Sequence, residues 1–271
     1  ITDGKLQQAK QTADQANQAK SRYISTISHE LRTPLNGILG YAQLLDEDAQ
    51  LPEHVKHAVG VIKRGGDHLL SLMEGTLDIA RIESGKLSLD VKPVRLDELL
   101  QQITGLIEHE ARAKHLRFVA DIEPHLPEAV RADERRVRQI LLNVLGNAVK
   151  FTTAGQVTFK VRYAREIALV EISDTGPGIA QVELDKVFEP FARGSSAAGN
   201  SAGGTGLGLT ISKMLTDLMG GELQVSSQEG VGTTFRIRLF LPQVRASEVA
   251  QRVMPGQRTG YAGERRRIWV V

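Results

Sequence analysis

The 271-residue chain contains no cysteine, which excludes disulfide bonds and thiolate metal sites and fits a reducing, cytoplasmic setting. Aromatic residues make up 4% of the chain, against 41% hydrophobic and 24% charged residues, a composition typical of a soluble globular protein. The formal net charge of +2 argues against a dedicated nucleic-acid surface. No apolar run approaches the roughly 20 residues that a membrane-spanning helix needs, and the start shows no secretory signal pattern. We therefore expect no membrane contact by this fragment.

Apolar residues recur at spacings of three and four through residues 6–45, which predicts a helix running unbroken from the N-terminus to about residue 46. They are Leu6, Ala9, Ala13, Ala16, Ile24, Ile27, Leu31, Pro34, Ile38, Tyr41 and Leu45. After a break over residues 48–52, a second periodic run contains Val55, Val59, Ile62, Gly66, Leu69, Met73, Thr76 and Ala80. One helical hairpin cannot bury both of its apolar stripes, so we expect two chains to form a four-helix bundle.

The first helix carries an unusual polar motif, Ser28-His29-Glu30-Leu31-Arg32-Thr33-Pro34-Leu35-Asn36. His29 falls two places after a seam residue, and therefore on the outward face. Thr33 lies one turn further along that face and Glu30 is adjacent to the imidazole. A base, a carboxylate and a hydroxyl thus share one exposed patch. A solvated histidine on a bundle helix is the alternative interpretation.

The helical period stops at residues 83–86, where we place a domain boundary. Beyond it, the pattern predicts apolar alternation as far as Pro93, a helix capped by Asp97, a strand over 116–122 and a helix capped by Asp133. Strands over 156–164 and 167–173, a helix over about 207–219 and a hairpin over 222–241 follow. Helices grouped against a mostly antiparallel sheet predict a two-layer sandwich.

Asn143, Asn147 and Lys150 fall at spacings of four and three, so two amide oxygens and an ammonium group share one helix face. That face can hold a cation and a phosphate together, because Mg²⁺ takes oxygen ligands and keeps several waters. An ordinary exposed polar face is the alternative interpretation.

Two glycine-rich motifs follow in the same half of the chain. Asp174 stands where an apolar strand ends, and the adjacent Gly176 and Gly178 would let a purine ring approach while the carboxylate accepts from its amino group. Residues 203–209 open a helix whose backbone N–H groups can cradle phosphate. Taken singly, an Asp-Gly turn and a Gly-rich turn are the alternatives.

The motif around His29 resembles the phospho-acceptor box of the sensor histidine kinases. The other motifs, with Phe188-Glu189-Pro190-Phe191 between them, resemble the nucleotide-binding boxes of the histidine kinase catalytic domain, a superfamily shared with gyrase and the heat-shock chaperone ATPases. The resemblance covers residues 21–242 and implies an α+β fold. A helical-hairpin dimerisation domain, a four-helix bundle as the dimer, precedes a two-layer α/β sandwich ATP-binding domain.

The implied domains are an upstream signalling helix or coiled coil over 1–22, the dimerisation and histidine phosphotransfer domain over 23–84, the catalytic ATP-binding domain over 85–242, and a linker with the first strand of a receiver domain over 243–271. A mobile lid is implied over about 180–203.

The resemblance implies ATP and Mg²⁺ as cofactors. His29 would accept the γ-phosphoryl group, Glu30 would fix the imidazole tautomer, and Thr33 would position a water that removes phosphate from a partner. Thr33 bonding its own helix backbone is the alternative. The implied nucleotide-binding residues are Asn143, Asn147, Lys150, Asp174, Gly176, Gly178, Phe188, Phe191, Arg193, Gly204, Thr205, Gly206, Leu207 and Gly208, with Asn143 and Asn147 at the metal.

The predicted function is ATP-dependent autophosphorylation of His29 and relay to a receiver-domain Asp in two-component signal transduction. Expected partners are a second copy through the hairpin, a receiver domain, and a downstream response regulator or phosphotransfer protein. One alternative is a catalytically silent regulator that heterodimerises with another histidine kinase, against which the intact nucleotide motifs argue. The other is a Ser/Thr kinase of the same nucleotide fold, against which the His29 motif argues.

Each end of the sequence supports a prediction. A start at Ile1 rather than Met predicts an excised cytoplasmic fragment of a membrane-anchored sensor. Residues 265–271 pass from a basic run into a β-branched and aromatic run, which resembles the first strand of a receiver domain. We expect a hybrid kinase cut just before its receiver; an edge strand or a disordered tail is the alternative.

Overall fold

The computed structural model describes residues 26–27, 30–48, 51–192 and 205–244. Several predictions fall outside these residues: the phospho-acceptor His29, the nucleotide-site residues Arg193 and Gly204, the upstream helix over 1–22, the part of the lid from residue 193 onward, and the receiver-like strand over 265–271. They stay predictions.

The first described unit is a helical hairpin. Helix α1 covers residues 30–46 and helix α2 covers Glu53–Glu83. The predicted break is confirmed, because α2 starts directly after Pro52, whose φ of −57° suits the start of a helix. Near the turn, the Lys63 ammonium and the Asp46 carboxylate form an ion pair at 2.6 Å that joins the two helices.

The two helices meet through a different stripe of α1 than the sequence predicted. Leu35 and Ala42 are buried in the hairpin, and α2 approaches so closely at Gly66 that a Cβ there would lie 2.6 Å from Leu39 Cδ2. The predicted seam residues Leu31, Ile38, Tyr41 and Leu45 are between 45% and 75% exposed. The seam prediction was therefore wrong for the contact within one chain, because the hairpin uses the neighbouring stripe and leaves this one uncovered.

The second unit contains two sheets and the remaining described helices. Its strands are β1 (Lys92–Val94), β2 (Arg117–Ile122), β3 (Ala129–Ala132), β4 (Gln156–Ala164), β5 (Ile167–Asp174), β6 (Glu222–Gln228), β7 (Gly232–Phe240) and β8 (Gln243–Val244). Its helices are α3 (Leu96–Ala113), α4 (Glu134–Phe151), α5 (Gln181–Leu184) and α6 (Gly208–Leu218).

The larger sheet has the order β2-β4-β5-β7-β6 and is antiparallel apart from the β2–β4 pair. Helices α3, α4 and α6 cover one face of it, where Ile103 and Ile140 are buried with Phe159 and Ile172. The opposite face is polar, with Arg236 and Lys160 flanking Glu171 across three strands. The predicted two-layer sandwich is confirmed. A smaller antiparallel sheet, β1-β3-β8, lies beside it.

Two boundaries differ from the sequence predictions. Helix α3 starts at Leu96 with Arg95 in the capping position and no side-chain cap, so Asp97 lies in the first turn and the capping prediction was wrong. A carboxylate there still faces the positive end of the helix. Strand β8 pairs with β3 just past Pro242, where the linker was expected to start, so the folded unit continues through Val244. The Asp133 cap is confirmed, since its carboxylate accepts from the Arg136 N–H at 3.1 Å.

The hairpin between β4 and β5 turns through two strained residues. Arg165 and Glu166 have φ values of 51° and 63°, the left-handed region that a type I′ turn requires and that Asn-Gly adopts best. We expect the double substitution Arg165→Asn, Glu166→Gly to raise the free energy of unfolding by about 1 kcal/mol. Denaturant titration measures this. An Ala-Ala pair at the same positions keeps the strain and should give no gain; equal stabilisation by both pairs would contradict the prediction.

Candidate functional site

One open cleft of about 1800 Å³ runs from the C-terminal half of α2 along α4 to the ends of β5 and α6. It brings together residues that lie far apart in the sequence. Eight of the predicted nucleotide-binding residues line it: Asn143, Asn147, Lys150, Asp174, Gly178, Thr205, Gly206 and Gly208.

The amide of Asn143 is oriented by helix α6. Its Nδ2 donates to the Gly208 carbonyl at 3.2 Å and lies 3.3 Å from Ser212 Oγ. A flipped amide would set its oxygen against that carbonyl, so the hydrogen-bond network fixes Oδ1 on the side away from α6. Asn147 lies one turn further along the same wall of the cleft. Two amide oxygens in this position fit a Mg²⁺ ion that also takes water and phosphate oxygens.

No group of three or more His, Asp or Glu side chains that could hold a metal occurs within the described ranges.

Lys150 occupies the last turn of α4, where its ammonium lies 4.8 Å from the centroid of the Phe151 ring. A cation over an aromatic face gains electrostatic stabilisation. The contact holds a positive charge at the wall of the cleft, one turn beyond Asn147.

Asp174 ends β5 and its carboxylate is fixed by the backbone around it. The Gly176 N–H donates to Oδ1 at 2.8 Å, and the Thr233 N–H also donates to the carboxylate. Burial raises the pKa of Asp174 above its ordinary value, and these two N–H groups lower it in part. Gly232 packs against the backbone of Asp174. A Cβ on Gly232 would lie 2.0 Å from the Asp174 carbonyl oxygen, so only glycine fits there.

Two left-handed glycines shape the loops beside the cleft. Gly178 has φ +73°, and a Cβ there would lie 2.2 Å from the Gln228 carbonyl oxygen. Gly206 has φ +69°, and its carbonyl accepts from the Phe191 N–H at 3.0 Å. That hydrogen bond joins Phe191 and Gly206, which flank residues 193–204 in the sequence.

Helix α6 begins at Gly208 without a side-chain cap. Thr205 Oγ1 instead accepts from the Leu207 N–H at 3.3 Å, one residue before the helix. The N–H groups of the first helical turn have no intrahelical acceptors, so they are available to an anion at the positive end of the helix. This end of α6 faces the cleft at Gly206 and Gly208.

The remaining described residues of the predicted site do not line the cleft. Phe188 packs against the hydrophobic core, Leu207 is 1% exposed, and the side chain of Phe191 is 61% exposed. Gly176 is buried beneath Asp174, to which it donates. Their contact with a nucleotide stays a prediction. On α1, Glu30 and Thr33 are exposed, and Arg32 between them reaches the cleft.

Sequence reasoning missed the contacts that join α2 to the second unit. A Cβ on Gly75 would lie 2.9 Å from Leu207 Cδ1, so α2 packs directly on the start of α6. Asp78 of α2 pairs with Arg136 of α4 at 3.0 Å, with side chains 15% and 10% exposed. Gln139 donates to the same carboxylate at 3.2 Å. A glycine or an aspartate inside a helix carries no sequence signal for such a partner.

No helix in the described part of the chain is both long and apolar enough to cross a bilayer.

Comparison with known proteins gives consistent results. Residues 19–85 match the His Kinase A (phospho-acceptor) domain family, and residues 132–243 match the Histidine kinase-, DNA gyrase B-, and HSP90-like ATPase family. Together the two matches cover more than half of the chain. The full-length ShkA crystal structure in complex with AMPPNP is similar with a TM-score of 0.70 and 36% identity, covering 83% of this chain and 47% of that one.

Curated relatives agree with these matches. The sensor protein GacS of Pseudomonas syringae pv. syringae is 38% identical over 90% of this chain and 28% of its own length. The aerobic respiration control sensor protein ArcB of Escherichia coli K12 is 40% identical over 87% of this chain and 30% of its own. The autoinducer 2 sensor kinase/phosphatase LuxQ of Vibrio cholerae is 36% identical over 92% of this chain and 29% of its own length. The chain thus spans less than a third of the length of these relatives. It belongs to the sensor histidine kinases, of which it forms a transmitter core with a phospho-acceptor domain and an ATP-binding domain.

Proposed function

We propose that this histidine kinase transfers the γ-phosphoryl group of ATP to His29 and passes it to a receiver-domain aspartate. The observation that carries the proposal is one cleft lined by Asp174, Asn143 and the start of α6. The same cleft reaches Arg32, three residues after His29. Arg32, a residue of the phospho-acceptor motif, therefore lines the same cleft as the proposed nucleotide ligands.

In the proposed complex, the Asp174 carboxylate accepts a hydrogen bond from the purine amino group, and Gly178 lets the ring approach the backbone. Lys150 and the N–H groups at the start of α6 bind the phosphates. Asn143 and Asn147 supply oxygens to Mg²⁺, which when bound neutralises the charge on the transferring group.

The reaction forms a bond between an imidazole nitrogen of His29 and the γ-phosphorus, and breaks the bond from that phosphorus to the bridging oxygen, so ADP leaves. An unperturbed imidazole has a pKa of about 6.5 and is largely neutral near pH 7, so it can act as the nucleophile. Glu30 accepts the proton on the other ring nitrogen. Positioning and charge neutralisation account for most of the rate.

Phosphate relay is the proposed second step. The recipient is a receiver-domain aspartate, in a hybrid kinase on the same polypeptide, and then a downstream response regulator or phosphotransfer protein. The hydrolytic role of Thr33 also stays a prediction. Its exposed position on α1, within the phospho-acceptor motif, is compatible with access by a partner.

Label chemistry tests the proposed reaction. The purified chain is incubated with γ-labelled ATP and Mg²⁺, and the protein-bound label is treated with acid and with alkali. Phosphohistidine loses its label in acid and keeps it in alkali. Acid-stable label would indicate a Ser/Thr kinase, and the absence of label would favour the silent regulator.

We also propose a homodimer through the helical hairpin. The residues left uncovered within one chain, Leu31, Ile38, Tyr41, Leu44, Leu45, Ile62 and Leu69, are between 45% and 75% exposed. They occur on both helices, and packing against a second hairpin would remove these apolar side chains from water. A second hairpin would cover it and complete four helices.

We expect the chain to sediment as a dimer at micromolar concentration and Ile62→Asp to shift it to the monomer. Removing the isoleucine and burying a charge should cost at least about 2 kcal/mol of association free energy. Leu106→Asp is the matched control, since Leu106 is a 53% exposed leucine on α3 of the other unit. A dimer that survives Ile62→Asp, or is equally lost with Leu106→Asp, would place the interface elsewhere.

A further inference from the structure

Lys114 follows the last residue of α3, but its ammonium group reaches helix α4. Nζ donates to the carbonyl of Val149 at 3.0 Å and to the carbonyl of Lys150 at 2.9 Å. These two carbonyls belong to the last turn of α4, which carries one of the proposed phosphate ligands. Lys114 itself does not line the cleft.

The last carbonyls of a helix have no intrahelical partner and need another donor. At the end of α4, the Ala148 carbonyl accepts from the Thr152 N–H at 3.2 Å and from Thr152 Oγ1 at 2.7 Å. The next two carbonyls, of Val149 and Lys150, accept from Lys114. A cation in this place also faces the negative end of the helix dipole.

The backbone around Lys114 is held in place. The Lys114 N–H and the Leu116 N–H both donate to the Ala111 carbonyl, at 3.1 Å and 2.9 Å. His115 between them has φ 57°, which turns the chain sharply into β2. The Lys114 side chain therefore extends from a helix end whose backbone is hydrogen-bonded.

We infer that Lys114 is a positioning residue for nucleotide binding. It fixes the last turn of α4, and that turn sets where the Lys150 ammonium stands over the cleft. The inference rests on the proposed function, because it acts through Lys150 as a phosphate ligand. It adds a residue that contacts neither nucleotide nor metal.

The test compares MgATP with adenosine as probes on the full chain. Lys114→Met keeps the aliphatic stem and removes the donor, and we expect it to weaken MgATP binding by about five- to tenfold while adenosine binding is unchanged. The KM for ATP rises and kcat at saturating ATP stays the same. Lys114→Arg, which keeps the charge and the donors, restores the affinity. Lys114→Gln, too short to reach the carbonyls, gives the same comparison if the Met variant does not fold.

A double-mutant cycle separates positioning from general stability. In a Lys150→Ala background, Lys114→Met should cause no further loss of MgATP affinity. An additive loss, or an equal loss of adenosine binding, would overturn the inference. If Lys150→Ala weakens MgATP binding but Lys114→Met leaves it unchanged, the inference is overturned and the proposed function is not affected. Unchanged binding in Lys150→Ala would reject the phosphate assignment of Lys150, and the inference with it.

Discussion

Replacing His29 by Gln should abolish ATP-dependent labelling of the chain and leave nucleotide affinity nearly unchanged. The proposed phospho-acceptor belongs to the motif that continues into α1, whereas every proposed nucleotide ligand with a described position belongs to the second unit. Glutamine has no nucleophilic ring nitrogen at neutral pH. Loss of label with retained binding of a fluorescent ATP analogue would assign His29 to chemistry alone.

His57→Gln is the matched control. His57 is an exposed histidine on α2 of the same hairpin, outside the phospho-acceptor motif, and its substitution should leave both labelling and binding intact. Persistent acid-labile label in His29→Gln would assign the phospho-acceptor to another histidine. An equal loss of nucleotide binding would mean that the two functions do not divide between the two units.

The parts of the fold that could be predicted from the sequence are those that depend on local periodicity. The Asp133 cap and the alternation along β4, in which Val157, Phe159 and Val161 are buried, follow from the chain itself. The convergence of the asparagine face, Asp174 and the second glycine-rich motif was predicted from the resemblance, and the cleft brings them together.

Pairing between distant segments could not be predicted, because strand register and helix docking are set by the whole core. The Thr233 N–H reaches Asp174 only because β7 lies beside β5 in a register that puts the two residues opposite each other. The stripe used inside the hairpin was misassigned for a related reason. Both stripes of α1 are apolar, and only the close approach of Gly66 to Leu39 selects one of them.

The contact between α2 and the second unit depends on the same kind of long-range fit. A buried ion pair such as Asp78 with Arg136 adds little net stability, because desolvation of two charges offsets their attraction. It does penalise arrangements in which either charge is buried alone. Together with the close packing of Gly75 on Leu207, it fixes how the start of α6 sits against the phospho-acceptor domain.

Asp174→Asn should have the reverse effect of the His29 substitution and weaken ATP binding first. The amide replaces one acceptor with a donor that faces the purine amino group, a mismatch of about 1–3 kcal/mol, or roughly 5- to 150-fold in affinity. Titration with a fluorescent ATP analogue measures it. Asp185→Asn, at an exposed aspartate just after α5, is the matched control and should bind normally. Unchanged affinity in Asp174→Asn would remove Asp174 from the nucleotide site.

The raised pKa of Asp174 offers a way to distinguish weaker ATP binding in Asp174→Asn from a loss of folding. Because burial raises the pKa in the folded chain, the contribution of this group to stability is greatest at low pH and is lost as pH rises through the raised pKa. At pH 7 the carboxylate therefore destabilises the nucleotide-free protein, and Asp174→Asn should unfold at a temperature no lower than the wild type. As pH falls through the raised pKa, the wild-type carboxylate protonates and loses ATP affinity, whereas the Asn variant stays nearly flat. A variant with both weaker binding and a clearly lower unfolding temperature at pH 7 would instead indicate that Asp174 acts by holding the loop together.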